Sequence, residues 1–393
     1  MSRCLASLLT GFVVTGAVAP AAAQLRASRP ARPTQNLPRV MVANPHSFAA
    51  PDSAAAVRVG SGIRDRIETL ADKWYSAIQR NQMNEALVQY GYPADAVLPP
   101  MVARQLAAQL QARALVSATL ARGEGGRVTV EARLTGISDQ TGHMVKLTQG
   151  ANQSFEDFGA KVADSLKGAF NALPDAKTCE SLVATNPAKA IEAGEKALKA
   201  QPNHGLAEMC LANVAKAQKK GLDEVVVHLA NAAKGDRLSL EPLAAMLSIY
   251  QAKKDTAKIS DTFAEMLRVA PTNQKLREEA GKWFNTTGRP ERAEQIAREA
   301  LVLDPSNPEL LDLLSNACLV QGKPEKNKCA IDALEQVFAL DSTKADTLFF
   351  IKMTFAAKQE PVDTGRYLKW ALVGNGKYPK NGYLLSIRCS SSP

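Results

Sequence analysis

The feature that most constrains this chain is a repeat of about 34 residues in its carboxyl-terminal half. Pro202, Pro271 and Pro305 each follow a helix-like segment with Ala-Leu or Met-Leu just upstream. Pro271 and Pro305 are 34 residues apart, and Pro202 and Pro271 are 69 apart, which leaves room for one divergent unit. A unit of this length is typically a helical hairpin, which buries its apolar side only by stacking on its neighbours. The sequence therefore predicts an all-helical stack over residues 175–380.

The clearest unit runs from residue 274 to residue 305. It has small or aromatic residues at regular places: Gly281, Phe284, Gly288, Ala293, Ala297 and Ala300. This pattern resembles the tetratricopeptide (TPR) repeat. The resemblance implies five or six helical hairpins that form an all-α superhelix, with a concave side that is the usual binding face.

Two more predictions concern the end of the chain. One further unit ends at Ser342, and a last helix pair is predicted over residues 345–357 and 362–373. Glycines from Gly374 onward are expected to stop that pair, because glycine is a poor helix former. Residues 381–393 are then expected to form a C-terminal tail.

The first helix of each unit carries the candidate partner-binding residues. Applying the TPR pattern to these helices places the following side chains on the concave side: Asn213, Lys216, Glu241, Ser248, Gln251, Lys275, Glu278, Lys282, Asn285, Glu309, Asp312 and Asn316. Their mixed charge suits a polar peptide or protein surface. The alternative is that each is simply part of the solvated face of an amphipathic helix.

Basic residues recur at the turns inside the units. They are Lys216, Lys219, Lys220, Lys253, Lys254, Arg289, Arg292, Lys323, Lys326 and Lys328. In a stacked array these turns share one edge, so the cations would form a ridge that can meet anionic lipid or an acidic partner. The alternative is local: cations stabilise the carboxyl end of a helix, and nearby acids dilute the charge.

The amino-terminal half has a different pattern. Val40 to Ala43 is a short apolar run closed by Asn44-Pro45, which is typical of a buried strand. Asp52 or Ser53 can cap the helix that follows. The remaining predicted elements are a strand over 74–78, helices over 83–90 and 101–110, strands over 114–120, 128–134 and 144–147, and a closing helix over 155–170. The fold class predicted here is α/β, with a mixed sheet covered by helices.

This order of elements resembles the amino-terminal domain of the Tol-system protein TolB and related modules of periplasmic sensor proteins. The resemblance is carried by residues 40–45, 103–107, 115–120, 126–134 and 141–145 and by the closing helix. It covers most of residues 39–172. The family's domain is a docking module, so the resemblance implies binding rather than catalysis.

The first 23 residues read as a secretory signal peptide: Arg3, an apolar stretch over 5–19, and Ala21-Ala22-Ala23 before Gln24. Retention of this segment as a membrane anchor is the competing interpretation. Cys4 is not placed for lipid attachment after cleavage. Cleavage would lower the formal net charge from +9 to +8, because one arginine is lost. The mature protein is therefore expected in the periplasm and remains basic.

Residues 24–38 hold three arginines and three prolines and no acid. Such a segment cannot bury apolar surface, so we expect a mobile, extended linker. A basic arm can also contact anionic lipid, which attracts each cation by about 1 kcal/mol near the surface. Both interpretations, spacer and lipid-binding arm, stay open.

Five cysteines would remain after cleavage, and an oxidising compartment favours their pairing. Cys318 lies late in one predicted helix and Cys329 early in the next, so a hairpin would bring them level. Cys179 and Cys210 fall on first helices of neighbouring units, and Cys389 is left over. The alternative is that each cysteine is a small apolar residue that suits helix packing.

The sequence has no strong catalytic signature. Gly60-Ser61-Gly62 lacks the third glycine and the Lys-Ser or Lys-Thr pair of nucleotide-binding loops, and the four histidines form no metal-binding spacing. His46 follows the first strand, where α/β sites often lie, but a lone loop histidine is more often solvent-facing. No metal, cofactor or nucleic-acid partner is expected.

These features favour a non-catalytic interaction protein of the periplasm: an adaptor, assembly factor or extrinsic subunit of an envelope or membrane complex. A sensor that captures a small molecule or glycan on its α/β domain is the first alternative. An enzyme with residues assembled from distant segments is the second. The partner expected first is another protein.

Overall fold

A computed structural model describes residues 37–390, apart from the side chains of residues 124 and 387–390. The expected signal peptide and almost all of the basic arm lie outside the described residues. From residue 38 onward the chain forms one compact unit.

The amino-terminal part contains a mixed sheet, as predicted, with six strands where five were expected, because His46–Ser47 adds a short one. The strands are β1 Arg39–Val42, β2 His46–Ser47, β3 Ser76–Ala77, β4 Ala112–Arg122, β5 Val128–Gly136 and β6 His143–Thr148. Their order is β3-β1-β4-β5-β6, with β2 beside β4. Strands β1, β2, β3 and β4 run parallel where they pair, and β4, β5 and β6 pair antiparallel. The predicted second strand is shorter than expected, because only two residues of 74–78 pair with β1.

Helices cover both faces of this sheet. They are α1 Ser53–Leu70, α2 Arg80–Gln89, α3 Pro100–Gln109, α4 Phe155–Ser165 and α5 Lys167–Leu182. Alternation along β1 separates two cores, since successive side chains point to opposite faces. Val40 and Val42 pack with α1, α4 and α5, whereas Met41 packs with α2 and α3. The sheet therefore has two buried faces.

The carboxyl-terminal part is a stack of helical hairpins, which confirms the predicted helical repeat. Its helices are α6 Pro187–Ala200, α7 Gly205–Ala217, α8 Leu222–Gly235, α9 Glu241–Lys253, α10 Thr256–Val269, α11 Gln274–Thr286, α12 Pro290–Leu301, α13 Pro308–Val320, α14 Pro324–Leu340, α15 Thr347–Lys358, α16 Thr364–Lys377 and α17 Gly382–Ser390. Helix α5 pairs with α6 as the first hairpin, and each later pair of helices forms another.

Local sequence explains where many of these helices begin. The side chains of Asn186, Asp255, Asn273, Asn307 and Asp346 each accept a hydrogen bond from a backbone N–H of the following turn. Such caps satisfy N–H groups that lack a partner within the helix. Proline at the first or second helical position of α6, α9, α12, α13 and α14 adds to this signal, because its fixed φ suits the first turn.

A polar joint connects the sheet to the helical stack. The guanidinium of Arg133 on β5 donates to both carboxylate oxygens of Asp236 at 2.8 and 2.9 Å, and the backbone N–H of Gly142 donates to the same carboxylate at 2.7 Å. The Thr141 hydroxyl lies 2.7 Å from that of Ser239. Asp236 is fully buried. The turn between β5 and β6 is therefore held against the α8–α9 connection.

The structure differs from the sequence-based expectation at two element boundaries. Helix α5 runs through Pro174 to Leu182, so a continuous helix crosses the predicted end of the α/β domain. Helix α16 continues through Gly374 to Lys377, and α17 occupies a segment predicted as tail. Packing explains the second difference: Gly374 lies against the ring of Phe350 and Leu384 of α17 is fully buried. No helix within residues 37–390 is both long and apolar enough to cross a membrane.

Candidate partner-binding surface on the first helices

The candidate surface is built from the first helices of successive hairpins. Helix α13 packs against both α11 and α12, so α11 and α13 adjoin each other as well as their own second helices. Apart from Glu241, which bonds to the sheet region, the predicted residues lie exposed or half-buried on these helices: Asn213, Lys216, Ser248, Gln251, Lys275, Glu278, Lys282, Asn285, Glu309, Asp312 and Asn316.

Four of these residues line one cleft. The cleft has a volume of about 300 Å³ and lies between α13 and α15, with α11 at its side. Its predicted members are Lys282, Glu309, Asp312 and Asn316. The structure thus joins side chains from two successive units of the repeat. We call this feature the α13–α15 cleft.

The sequence reasoning missed the other side of the cleft. Lys344, Asp346, Leu348 and Lys352 come from the start of α15 and the short turn before it. They were missed because the last helix pair was predicted by its bounds alone and no binding positions were assigned to it. The hydrophobic run from Leu348 to Ile351, followed by Lys352, was the available signal.

The floor of the cleft is apolar. Leu313, Val337 and Phe349 line it and are almost fully buried in the core of the last hairpins. Leu348 stands at the rim with 55% of its side chain exposed. A rim leucine next to a buried apolar floor can accept an apolar side chain from a partner, which is how small clefts gain binding energy.

Ion pairs cross the cleft. The Lys352 ammonium lies 2.8 Å from the Asp312 carboxylate, and Lys344 binds Glu309. The Asn316 amide donates to Asp312 at 2.9 Å. The hydrogen bond from Lys344 lowers the pKa of Glu309 and raises that of Lys344, so both groups are charged near neutral pH. The rim is therefore polar with little net charge.

The polar residues nearer the sheet are not paired with each other. Within the described residues, Asn213, Lys216, Gln251 and Lys275 make no side-chain hydrogen bond or ion pair. Ser248 donates only to the carbonyl of Ala244 in its own helix. These groups remain available to a partner, at the cost of replacing bound water.

Glu241 corrects the predicted set. Its carboxylate accepts a hydrogen bond from the Thr141 hydroxyl at 2.6 Å, so it belongs to the joint with the sheet. The first turn of α9 faces the β5–β6 turn rather than open solvent. A pattern taken from the repeat alone could not show this contact, because Thr141 lies 100 residues away.

Half of the ten cations in the predicted basic ridge are paired with acids. Lys220, Lys253, Lys323, Lys326 and Lys328 each form an ion pair with a nearby acid. Surface pairs of this kind contribute little stability, but they cancel the local field. Lys220 and Lys328 pair with an acid four residues later, whereas Lys253, Lys323 and Lys326 pair with acids of an earlier helix about 30 residues away. The local alternative therefore accounts for two of these five contacts.

Four of the cysteines form two disulfides. Cys179 of α5 is joined to Cys210 of α7, and Cys318 of α13 to Cys329 of α14, each with Cα atoms 6.2 Å apart. The Glu294 carboxylate lies beside the second pair. Burial acts to raise its pKa, but hydrogen bonds from Lys326, Gln321 and Arg298 lower that pKa to about 2. With both sulfurs bonded and the carboxylate occupied, this group has no free ligand atoms for a metal.

The histidines form no nucleophile–base pair within the described residues. His228 binds Glu208 at 2.6 Å, and His46 packs edge-on against Phe48. His143 and His204 stack in the joint with ring centroids 5.6 Å apart. None of these histidines is hydrogen-bonded to a Ser, Thr or Cys side chain in the described part of the chain, as a triad would require.

No protein family model matches the chain, and no curated protein does. Among solved structures it is similar to YrrB, described as a TPR protein with an unusual peptide-binding site, at 16% identity and a TM-score of 0.37, over 50% of this chain and 98% of YrrB. It is also similar to PilW, described as a type IV pilus biogenesis factor, at 15% identity and a TM-score of 0.32, over 55% of this chain and 98% of PilW. PilF of Pseudomonas aeruginosa matches at 14% identity and a TM-score of 0.32, over 56% of this chain and all of PilF.

Proposed function

We propose that this chain is a non-catalytic interaction protein of the periplasm, in which a TolB-amino-terminal-like domain precedes a TPR-type superhelix. It serves as an adaptor, assembly factor or extrinsic subunit of an envelope or membrane complex. The observation that carries the proposal is the α13–α15 cleft, because three consecutive hairpins contribute side chains to it.

The chemistry of the cleft suits a peptide segment of another protein. Its apolar floor takes one or two apolar side chains, and its paired charges and the Asn316 amide meet the polar backbone. A volume of about 300 Å³ matches a short segment rather than a large ligand. The unpaired groups along α7, α9 and α11 extend the same surface for a longer segment.

Placement in the periplasm is supported by two observations. The first 23 residues have the composition of a signal peptide. Two disulfides join neighbouring helices, and such bonds persist in oxidising compartments. The basic arm over residues 24–38 is then a spacer that can also contact anionic lipid.

The test is co-purification of the tagged protein from gently solubilised native membranes, at low and then high salt, with mass spectrometry of the bound material. The informative variant is Leu348→Ser, which removes the rim leucine. The matched control is Leu340→Ser: Leu340 is 47% exposed and lies outside the cleft.

We expect a stoichiometric partner that survives high salt, persists with Leu340→Ser and is lost or strongly reduced with Leu348→Ser. Recovery of a partner-free protein would contradict the interaction role. If both variants retained the partner equally, the protein would still be an interaction protein, but the α13–α15 cleft would not be its binding site.

A further inference from the structure

A second concave feature lies on the α/β part, away from the helical stack. It is a groove of about 470 Å³ between α2 and α3, on the sheet face opposite the one that packs against α5 and α7. Leu87 and Leu106 form part of its floor, and Tyr90, Tyr92, Gln105 and Gln109 line its sides. We call it the α2–α3 groove.

The α2–α3 groove carries no charged side chain, although 22% of the chain's residues are charged. Tyr90 and Tyr92 are 51% and 38% exposed, which is high for large rings. Charge complementarity therefore selects an uncharged occupant, because a buried ion would find no partner here. A lipid headgroup, an acidic peptide and a nucleic acid are disfavoured for the same reason.

The polar groups of the groove are free. Neither tyrosine hydroxyl and neither glutamine amide makes a hydrogen bond within the described part of the chain. Gln105 and Gln109 are four residues apart on α3, so they lie on one side of the helix, about 6 Å apart along its axis. The groove thus presents an apolar floor with a row of hydrogen-bond donors.

We propose that the α2–α3 groove binds an uncharged, proline-rich segment of a partner protein in the polyproline II conformation. A chain in this conformation has no internal hydrogen bonds, so its carbonyl groups are free acceptors. It has three residues per turn, so its carbonyls project outward on every side and some of them face the two glutamine amides. Its proline rings pack well on aromatic side chains.

An α-helical occupant fits less well. The carbonyls of a helix are already bonded within the helix, so the donors of Gln105, Gln109, Tyr90 and Tyr92 would lose water without gaining acceptors. Each donor that became buried in this way would be left unsatisfied, which weakens binding. The free donors therefore favour an extended segment, whose carbonyl groups are unbonded.

This surface differs from the α13–α15 cleft in place and in chemistry. The cleft has paired charges around an apolar floor, whereas the groove is neutral and aromatic. A protein with both can hold two different segments at once, which is what an adaptor requires. The inference on the groove does not depend on the cleft.

The test is isothermal titration calorimetry with the purified mature protein. The probe is a capped, uncharged nonapeptide of three Pro-Pro-Leu repeats. The comparison ligands are an uncharged amphipathic helical peptide of similar length and neutral chitotriose. The informative variants are Tyr90→Ala and the double variant Gln105→Ala/Gln109→Ala. The controls are Val88→Ala and Met101→Ala, which are exposed beside the groove but do not line it.

We expect the proline-rich peptide to bind more tightly than either comparison ligand. Tyr90→Ala and the double glutamine variant should each weaken it at least tenfold, with the controls within twofold. No binding of the proline-rich peptide, tighter binding of the helical peptide or of chitotriose, or equal binding by Tyr90→Ala and the controls would overturn the proposal. If Tyr90→Ala fails to fold, the affinity of the double variant Gln105→Ala/Gln109→Ala still tests the proposal, because both glutamines are exposed. The Leu348→Ser experiment tests the α13–α15 cleft, whereas the calorimetry tests the α2–α3 groove. A negative result in one therefore leaves the other proposal unaffected.

Discussion

Two histidines in the joint illustrate how burial fixes the chemistry of single residues. His204 is fully buried, and its Nδ1 accepts a hydrogen bond from the backbone N–H of Ala207, while Nε2 has no partner within the described residues. Burial, helped by the neighbouring His143 ring, lowers the pKa of His204 to about 3. Burial also lowers the pKa of His143, although Asp236 opposes this. Both rings are therefore neutral at neutral pH.

The first prediction concerns acid. An unfolded histidine binds a proton near pH 6.5. Because folded His204 binds one only near pH 3, the free energy of unfolding falls as pH falls below about 6.5. One such group costs about 1.4 kcal/mol per pH unit, or about 2 kcal/mol at pH 5. Between pH 7 and pH 5, the free energy of unfolding of His204→Asn should fall by about 2 kcal/mol less than that of the unmodified protein. Asparagine at this position still caps α7. Urea unfolding across this range measures it.

The matched control is His46→Asn, which removes a histidine outside the joint. Carboxylates contribute little above pH 5, because their unfolded pKa values lie near 4. An unchanged pH dependence in His204→Asn would show that the buried ring is not the acid-sensitive group. An equally weakened pH dependence in His46→Asn would also contradict the assignment of acid sensitivity to His204.

At the scale of single residues, the sequence predicted the contacts that follow from the positions of residues within the helical repeat. The cysteine pairs lie where helix positions predicted them, because neighbouring hairpins bring those positions together. The His143–His204 stack and the contact of Lys352 with Asp312 could not be found this way. Each joins residues that are far apart in sequence, and no periodicity links them. Asp52 shows the same limit: it stands before α1, yet its carboxylate binds Arg122 instead of capping the helix.

Among the elements, the β5–β6 turn matters most for how the parts are joined. Arg133 is 17% exposed and Asp236 is fully buried, so their pair is largely removed from water. Removal of one partner leaves the other charge buried and unpaired. The resulting loss in the free energy of unfolding is larger than the net contribution of the intact pair. The joint is therefore sensitive to single substitutions.

We expect Asp236→Asn to lower the free energy of unfolding by about 3 kcal/mol or more, since Arg133 would keep its charge without a carboxylate. The control is Asp164→Asn, which breaks the pair with Arg66, where both side chains are about half exposed. That change should cost less than about 1 kcal/mol. Urea unfolding at neutral pH gives both values. Equal effects of the two variants would mean that the joint pair contributes no more than a surface pair.

A glycine contact gives an independent test of the same joint. A Cβ on Gly205, at the start of α7, would overlap the carbonyl oxygen of Gly142, so the backbones would have to separate. We expect Gly205→Ala to destabilise the protein by about 1–3 kcal/mol. Gly376→Ala in α16 meets no atom within 4 Å and should instead stabilise by up to about 1 kcal/mol, because alanine favours the helix. Thermal unfolding of the two variants checks the opposite signs; destabilisation by both would remove the steric argument.

Elements with a strong period could be predicted from the sequence, and their ends could not. The alternation in β5 and the helical repeat each indicated the right type of structure. The extent of α5 could not be read from the sequence: the helix continues through Pro174, where the buried residues Leu173 and Ala176 hold it in place. Helix α17 was missed because its stability comes from the burial of Leu384 rather than from its own sequence.

For the whole molecule, one core connects the two parts. The cluster that fills one face of the sheet also contains Ala197 of α6 and Leu206 and Ala207 of α7. Helix α5 belongs to both parts, and the bond from Cys179 to Cys210 fixes it to α7. We therefore expect the sheet and the first two hairpins to unfold as one cooperative unit. The main contacts of the last hairpins are with their neighbours, as in a stacked array.

This arrangement predicts an order of local opening that hydrogen exchange can measure. Amides of α15, α16 and α17 should exchange faster than those of α5 to α8, because the end of a stack has neighbours on one side only. Amides of β4 and β5 should share the protection of α5 to α8, because they open together. In Asp236→Asn, protection of both groups should fall together while α15 to α17 change little. If β4 and β5 kept their protection in this variant while α5 to α8 lost theirs, the sheet and the first hairpins would be separate folding units. The two proposed binding surfaces would then not be held by one rigid core.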